Sequence, residues 1–176
     1  VALDERSAAH IALGMGLERR IPAVVISTSG TAAVNHGPAL AEAHFQRVPL
    51  ISVTADRPSE RRKEGLGQVA HQKDLFSAHT QFETEVDELT ADANQIRAKA
   101  RKAWFAATEG AVHVNVPFEE PLYDMKEWDI ALRNEVEVEL PLPTQSALPE
   151  NLLDQFSSHA PRVLLLAGAL PFDSKW

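Results

Sequence analysis

Residues 21–58 read IPAVVISTSGTAAVNHGPALAEAHFQRVPLISVTADRP, and the way this stretch divides decides the fold. Two short apolar runs, PAVVIST (22–28) and PLISVT (49–54), are each bounded by proline, glycine or polar residues. Their Val, Ile and Leu follow one another without alternation, the pattern of parallel strands buried on both faces. Between them a helical stretch over roughly 38–46 begins behind Pro38. Working outward, two further runs of the same kind stand at 111–118 (AVHVNVPF) and 162–168 (RVLLLAG). Helices are expected over 4–19, 69–76, 91–107 and near 150–158. Strand and helix in alternation predict an α/β fold with a doubly wound, mostly parallel sheet, whose ligands sit beyond the carboxyl ends of the strands.

The chain has 176 residues, 44% hydrophobic and 24% charged, enough for one good core and the start of a second. A net charge of −8 with only Arg61, Arg62 and Lys63 clustered argues against nucleic acid; that cluster reads as a solvated loop. The absence of cysteine removes disulfides, thiolate zinc sites and thiol nucleophiles. No 18-residue apolar run or secretory segment occurs, so no membrane role is expected and the protein reads as cytoplasmic. Residues 124–150 hold seven acidic side chains against Lys126 and Arg133, followed by the prolines of LPLPTQSALP (140–149). This predicts a domain over 1–123, an acidic, proline-rich linker over 124–160 and the opening of a second α/β domain over 161–176. EVEVEL (135–140) leaves an edge strand open. Because Val1 leads straight into a helix, the chain is expected to be a fragment.

Several stretches could carry chemistry. In STSGTAAVN (27–35), small hydroxyl residues and Gly30 at a strand-to-helix turn could present backbone N–H groups to an anion, or simply form an N-cap and a tight turn. Ser29 lacks the G-x-S-x-G frame of a hydrolase nucleophile. GLGQVA (65–70) imitates a dinucleotide fingerprint but follows DRPSERRKE rather than a strand. Gly14 and Gly16 fall inside a helix and read as packing contacts. The seven histidines show no metal-ligand spacing, and His113 reads as a core or edge residue. ISVTADRPSE (51–60) is more specific: a strand runs directly into Asp56 and Arg57, and Pro58 restricts Arg57 to extended conformations. A guanidinium held there suits a carboxylate; the alternative is a structural Asp56–Arg57 pairing or turn bond. In DERSAAHIALGMG (4–16), Asp4 reads as the helix cap and Glu5 as a complement to the helix dipole. The helix is apolar on nearly every side, as one covered by neighbours requires.

DERSAAHIALGMG, ISTSGTAAVNHGPALAEAHFQRVPLISVTADRP, EGLGQVAHQ and GAVHVNVPFEEPL together resemble the thiamine-diphosphate-dependent 2-succinyl-5-enolpyruvyl-6-hydroxy-3-cyclohexene-1-carboxylate synthases (the MenD family) of menaquinone biosynthesis, in order over residues 3–123. Other thiamine enzymes, the 2-oxo-acid decarboxylases and synthases, share the helix glutamate but usually carry a different turn at TSGT; they remain the alternative, as does a non-catalytic fragment. The resemblance implies a pyrimidine-binding domain and a C–C bond-forming transferase. That enzyme would decarboxylate 2-oxoglutarate on thiamine diphosphate and add the succinyl-semialdehyde carbanion to isochorismate. It makes Glu5 the residue that shares a proton with the cofactor's aminopyrimidine ring and Arg57 a substrate-carboxylate contact. Gln68 becomes an active-site hydrogen-bonding residue, and Ser29 and Thr31 residues that shape the substrate pocket. It also implies that Mg²⁺ and the diphosphate are held outside this chain, whose sequence has no G-D-G…N motif. The isolated piece would then be inactive, and the parent enzyme a homo-oligomer, a dimer or dimer of dimers. His10 in place of an aromatic residue, and Leu66-Gly67 before Gln68, depart from the family pattern.

Overall fold

A computed structural model describes residues 1–64, 67–87 and 91–119. The first helix, α1 (Glu5–Arg19), starts where expected because the Asp4 side chain accepts a hydrogen bond from the Ser7 N–H at 2.7 Å, and it ends at Arg20 in the left-handed conformation. Next come β1 (Ala23–Ser27), the short α2 (Thr31–Val34), α3 (Gly37–Gln46) and β2 (Leu50–Asp56). They are followed by β3 (Phe82–Glu85), α4 (Ala93–Ala107) and β4 (Ala111–Pro117). A capping box between Asp92 and Gln95 opens α4. The described strands form one all-parallel sheet in the order β1-β2-β4-β3, the expected α/β architecture.

Helices α1 and α3 cover one face, where Ala9, Ala12, Val25, Leu40, Ala43, Leu50 and Ala111 close the main core. Gly16 allows the approach: a Cβ there would stand 2.3 Å from the carbonyl oxygen of Pro49. Nothing lies within 4 Å of a Cβ built on Gly14, so the packing reading holds for Gly16 alone. On the other face α4 lies over β2, β3 and β4, joining Ala103 and Ala107 to Ile51 and Val112.

Several expectations change. The strands are not all covered on both faces, since Val24 and Ile26 of β1 remain 49% and 72% exposed beyond the reach of α4. Helix α1 is buried along one stripe, Ala9, Ala12 and Gly16, and leaves Ile11 and Met15 open. Residues 69–72 are irregular and 73–76 form a turn rather than a helix, leading into a single 3-10 turn at Ser77–His79. The four-residue β3, FETE, carries no apolar run and owes its strand conformation to pairing with β4. The linker and second domain expected over 124–160 and 161–176, with their strand at 162–168 and helix near 150–158, lie outside the described residues.

Candidate active site

Register places Ser52, Thr54 and Asp56 of β2 beside His113 and Asn115 of β4 and Glu83 and Glu85 of β3, all on the face toward α1 and α3. The amino half of this face is apolar and the carboxyl half polar. Asn115, 2% exposed, is the hub. Its Oδ1 accepts from Thr54 Oγ1 (2.9 Å) and Gln72 Nε2 (3.0 Å), and its Nδ2 donates to Asp56 Oδ2 (2.8 Å) and Glu85 Oε2 (2.9 Å). Two donors meet the oxygen and two carboxylates the amine, which fixes the amide orientation. Arg62 reaches both carboxylates at 2.8 Å, with its side chain only 16% exposed, and its Nε donates to the Arg57 carbonyl at 3.0 Å. Burial alone would raise the Glu85 pKa, but the hydrogen bonds from Arg62 and Asn115 and the charges of Arg62 and Lys73 outweigh it and hold the carboxyl below its ordinary range. His113 joins the layer through Nε2 to Thr54 Oγ1 (2.8 Å) and Nδ1 to Glu83 Oε1 (2.9 Å).

Above this layer the chain folds two loops together. Gln72 is fully buried; its Oε1 accepts from the Gly30 N–H at 2.7 Å and its Nε2 donates to the Ala55 carbonyl at 2.8 Å. Gly30 has φ +80°, and a Cβ there would meet the Gln68 backbone at 2.8–3.0 Å. Gln68 itself sits at φ +59°, a left-handed conformation uncommon for a residue with a side chain. The result is a cleft of about 120 Å³ lined by Thr28, Ser29, Ala55, Asp56, Arg57, Gln68 and Phe118. A second cleft of about 190 Å³ opens over β3 beside Lys73 and Asp74, with His113 and Asn115 of the polar layer in its lining.

Glu5 lies at the same end of the sheet. Helix α1 runs back along β1, so its first turn comes level with the carboxyl ends of the strands. Glu5 is half-buried, and its charge acts on His36, which is wholly buried. Nδ1 of His36 meets Ser52 Oγ at 2.8 Å, while Nε2 has no hydrogen-bond partner among the described residues. Burial, reinforced by His113 and opposed by Glu5, lowers the His36 pKa from 6.5 to about 4. The unfolded chain therefore takes up this proton first as the solution is acidified. The stability tied to neutral His36 should be intact above about pH 6.5 and be lost as the pH falls toward about 4, by at most about 3 kcal/mol. Urea titrations at pH 7 and pH 4.5 check this: His36→Gln should remove part of the acid sensitivity, and an identical pH slope in the variant would discard it.

The structure brings Ser29, Arg57 and Gln68 into one cleft. Thr31, exposed at the start of α2, does not line it. Of the two plain alternatives at Asp56 and Arg57 the turn bond is formed: Asp56 Oδ1 accepts the Arg57 backbone N–H at 2.7 Å, while Oδ2 pairs with Arg62. Arg62 is accordingly a structural cation, not part of a solvated loop. In STSGT, one of the backbone N–H groups that an anion cradle would use, that of Gly30, is taken by Gln72. Sequence reasoning passed over Gln72, Asn115, Arg62 and Glu85. The available signal was polarity at alternate positions in SVTAD and VHVNV, which places polar side chains on one face of two otherwise apolar strands.

The groups at the Glu5 end with chemistry suited to a heteroaromatic ring are the half-buried Glu5 and, within its electrostatic reach, the buried His36, whose Nε2 has no hydrogen-bond partner among the described residues. Among the described residues the Gly30 N–H is occupied, and no three acidic or histidine side chains converge to hold a metal ion. Nor is any described helix long and apolar enough to cross a membrane.

Comparison with known proteins accords with this geometry. A family described as thiamine pyrophosphate enzyme, N-terminal TPP binding domain, matches residues 1–89. The chain is similar to enzymes named 2-succinyl-5-enolpyruvyl-6-hydroxy-3-cyclohexene-1-carboxylate synthase. It is 42% identical to that of Geobacillus kaustophilus over 68% of this chain and 22% of the relative. The corresponding figures for Flavobacterium psychrophilum are 34%, 96% and 30%, and for Bacillus velezensis 44%, 69% and 22%. The chain thus spans between about a fifth and a third of the length of these relatives. With a parallel sheet, an acidic first turn and the matched N-terminal domain, the chain belongs to the thiamine pyrophosphate enzyme family.

Proposed function

We infer that this chain supplies the pyrimidine-binding half of the active site of a 2-succinyl-5-enolpyruvyl-6-hydroxy-3-cyclohexene-1-carboxylate synthase that acts in menaquinone biosynthesis in the cytoplasm. The carrying observation is the Glu5 carboxyl at the head of α1, at the same sheet end as a cleft lined by Ser29, Arg57 and Gln68. When bound, thiamine diphosphate supplies an electron sink for the decarboxylation of 2-oxoglutarate and the addition to isochorismate. Glu5, at the head of α1, would meet the cofactor's pyrimidine ring and exchange a proton with it. Arg57, its backbone clamped by Asp56 and Arg62, presents its guanidinium to a substrate carboxylate. Gln68 offers its amide from a loop held in a strained conformation, and Ser29 shapes the wall opposite. Mg²⁺ and the diphosphate belong to another part of the enzyme, joined in a dimer or dimer of dimers.

In the whole enzyme, 2-oxoglutarate, isochorismate, thiamine diphosphate and Mg²⁺ should together yield the synthase product. Arg57→Ala should raise KM for one carboxylate substrate by about 10- to 100-fold, the scale of a lost charge-assisted hydrogen bond. Turnover of a 2-oxo acid with no requirement for isochorismate would assign a different thiamine enzyme instead, and an unchanged KM would remove Arg57 from the substrate contact.

A further inference from the structure

We propose that Gln72, which is not itself among the residues lining the cleft, is the positioning residue that sets the width of the substrate cleft. This deepens the synthase reading and rests on it. The cleft has two walls on different strand ends, the Thr28–Ser29 turn after β1 and the Ala55–Arg57 segment closing β2. One primary amide spans them: Oε1 takes the Gly30 N–H at 2.7 Å and Nε2 gives a hydrogen to the Ala55 carbonyl at 2.8 Å. Its second hydrogen goes to Asn115 Oδ1 at 3.0 Å, which anchors the brace in the polar layer below.

Nothing else among the described residues hydrogen-bonds the Gly30 amide, which lies in a turn with φ +80° followed by a helix of only four residues. Without Gln72 the turn loses its tie to β2. Gln68 moves with it, because its backbone leans on Gly30 where a single Cβ would clash. Gln72 and Gln68 also belong to the same loop, so the brace fixes a third element of the cleft. A side chain of equal length without the amide would fill the space and leave both walls untied. An asparagine, one methylene shorter, could reach one wall and not the other.

The test uses the whole enzyme and two readouts. In the unmodified protein the Gly30 amide should exchange with solvent deuterium slowly despite its place in a turn; exchange at the rate of an exposed loop amide would overturn the proposal without any variant. Gln72→Met should raise exchange of the peptide containing Gly30 by about tenfold, and raise KM for 2-oxoglutarate or isochorismate by a similar factor while kcat stays within about twofold. A residue that merely fills space would show the opposite split, a lower kcat from a smaller folded fraction with KM unchanged, and that result would overturn the proposal. Should the methionine variant fail to fold, Gln72→Asn should carry the same KM signature, and a normal KM there counts against the brace. An enzyme that does not use these substrates at all, yet whose Gly30 protection vanishes in the variant, refutes the synthase reading and supports the brace.

Discussion

Asn115→Asp should lower the unfolding free energy by about 3–5 kcal/mol, the scale on which an uncompensated buried charge acts. That is a large share of the roughly 5–15 kcal/mol available to a domain. The substitution is isosteric, so packing is untouched and electrostatics alone decide the outcome. In the native protein the Asn115 amine stands 2.8 Å from Asp56 Oδ2 and 2.9 Å from Glu85 Oε2. A carboxylate there would face two others, with Arg62 in contact with both of them among the described residues, and two hydrogen bonds would become repulsions. Protonation relieves such a cluster, so the difference from wild type should shrink as the pH falls through the carboxylate range. Urea unfolding at pH 7 and pH 5 measures it; a loss below about 1 kcal/mol at pH 7, a typical neutral hydrogen bond, would show that the network is not closed as described.

Glu5→Gln acts on chemistry rather than on folding. Removal of a positioned acid or base typically lowers rate by about 10²–10⁴, and that loss is expected in the whole synthase. The fold should hardly notice. The cap of α1 is Asp4, which keeps its bond to Ser7, and one charge in a first helical turn contributes about 0.3–1 kcal/mol. The informative result is therefore a pair: a rate two or more orders of magnitude down, and a melting temperature within a few degrees of wild type. Full activity would reduce Glu5 to a complement of the helix dipole, the plain alternative open from the sequence.

The two predictions also mark what was legible in the sequence and what was not. The helix start at Glu5, the strand end before Arg57 and the parallel strands could be read because their signals are local: an acidic residue at a helix start, a proline after an arginine, an uninterrupted apolar run. Asn115 could not, because its partners lie 30, 43, 59 and 61 residues away and nothing in VHVNV names them. Arg62 misled for the same reason, standing in a basic triplet that is hydrophilic by composition while Asp56 and Glu85 wait across the fold. β3 escaped notice because an edge strand of four residues with two inward carboxylates has no pattern of its own. The helix expected over 69–76 failed where long-range demands won: Gln72 must turn inward to reach Gly30 and Ala55, and Asp74 adopts φ +59° nearby.

The division of one sheet face into an apolar half and a hydrogen-bonded half has a consequence for how this protein tolerates mutational drift. Around Leu50 and Val25 one aliphatic residue can replace another singly, since shape is the main constraint. Asn115 has both lone pairs of its side-chain oxygen and both amide hydrogens committed, so a lone replacement strands some neighbour, and viable routes run through coupled substitutions. Deep mutational scanning should accordingly find near-additive effects among the aliphatic positions and strong epistasis linking residues 54, 56, 62, 72, 85 and 115.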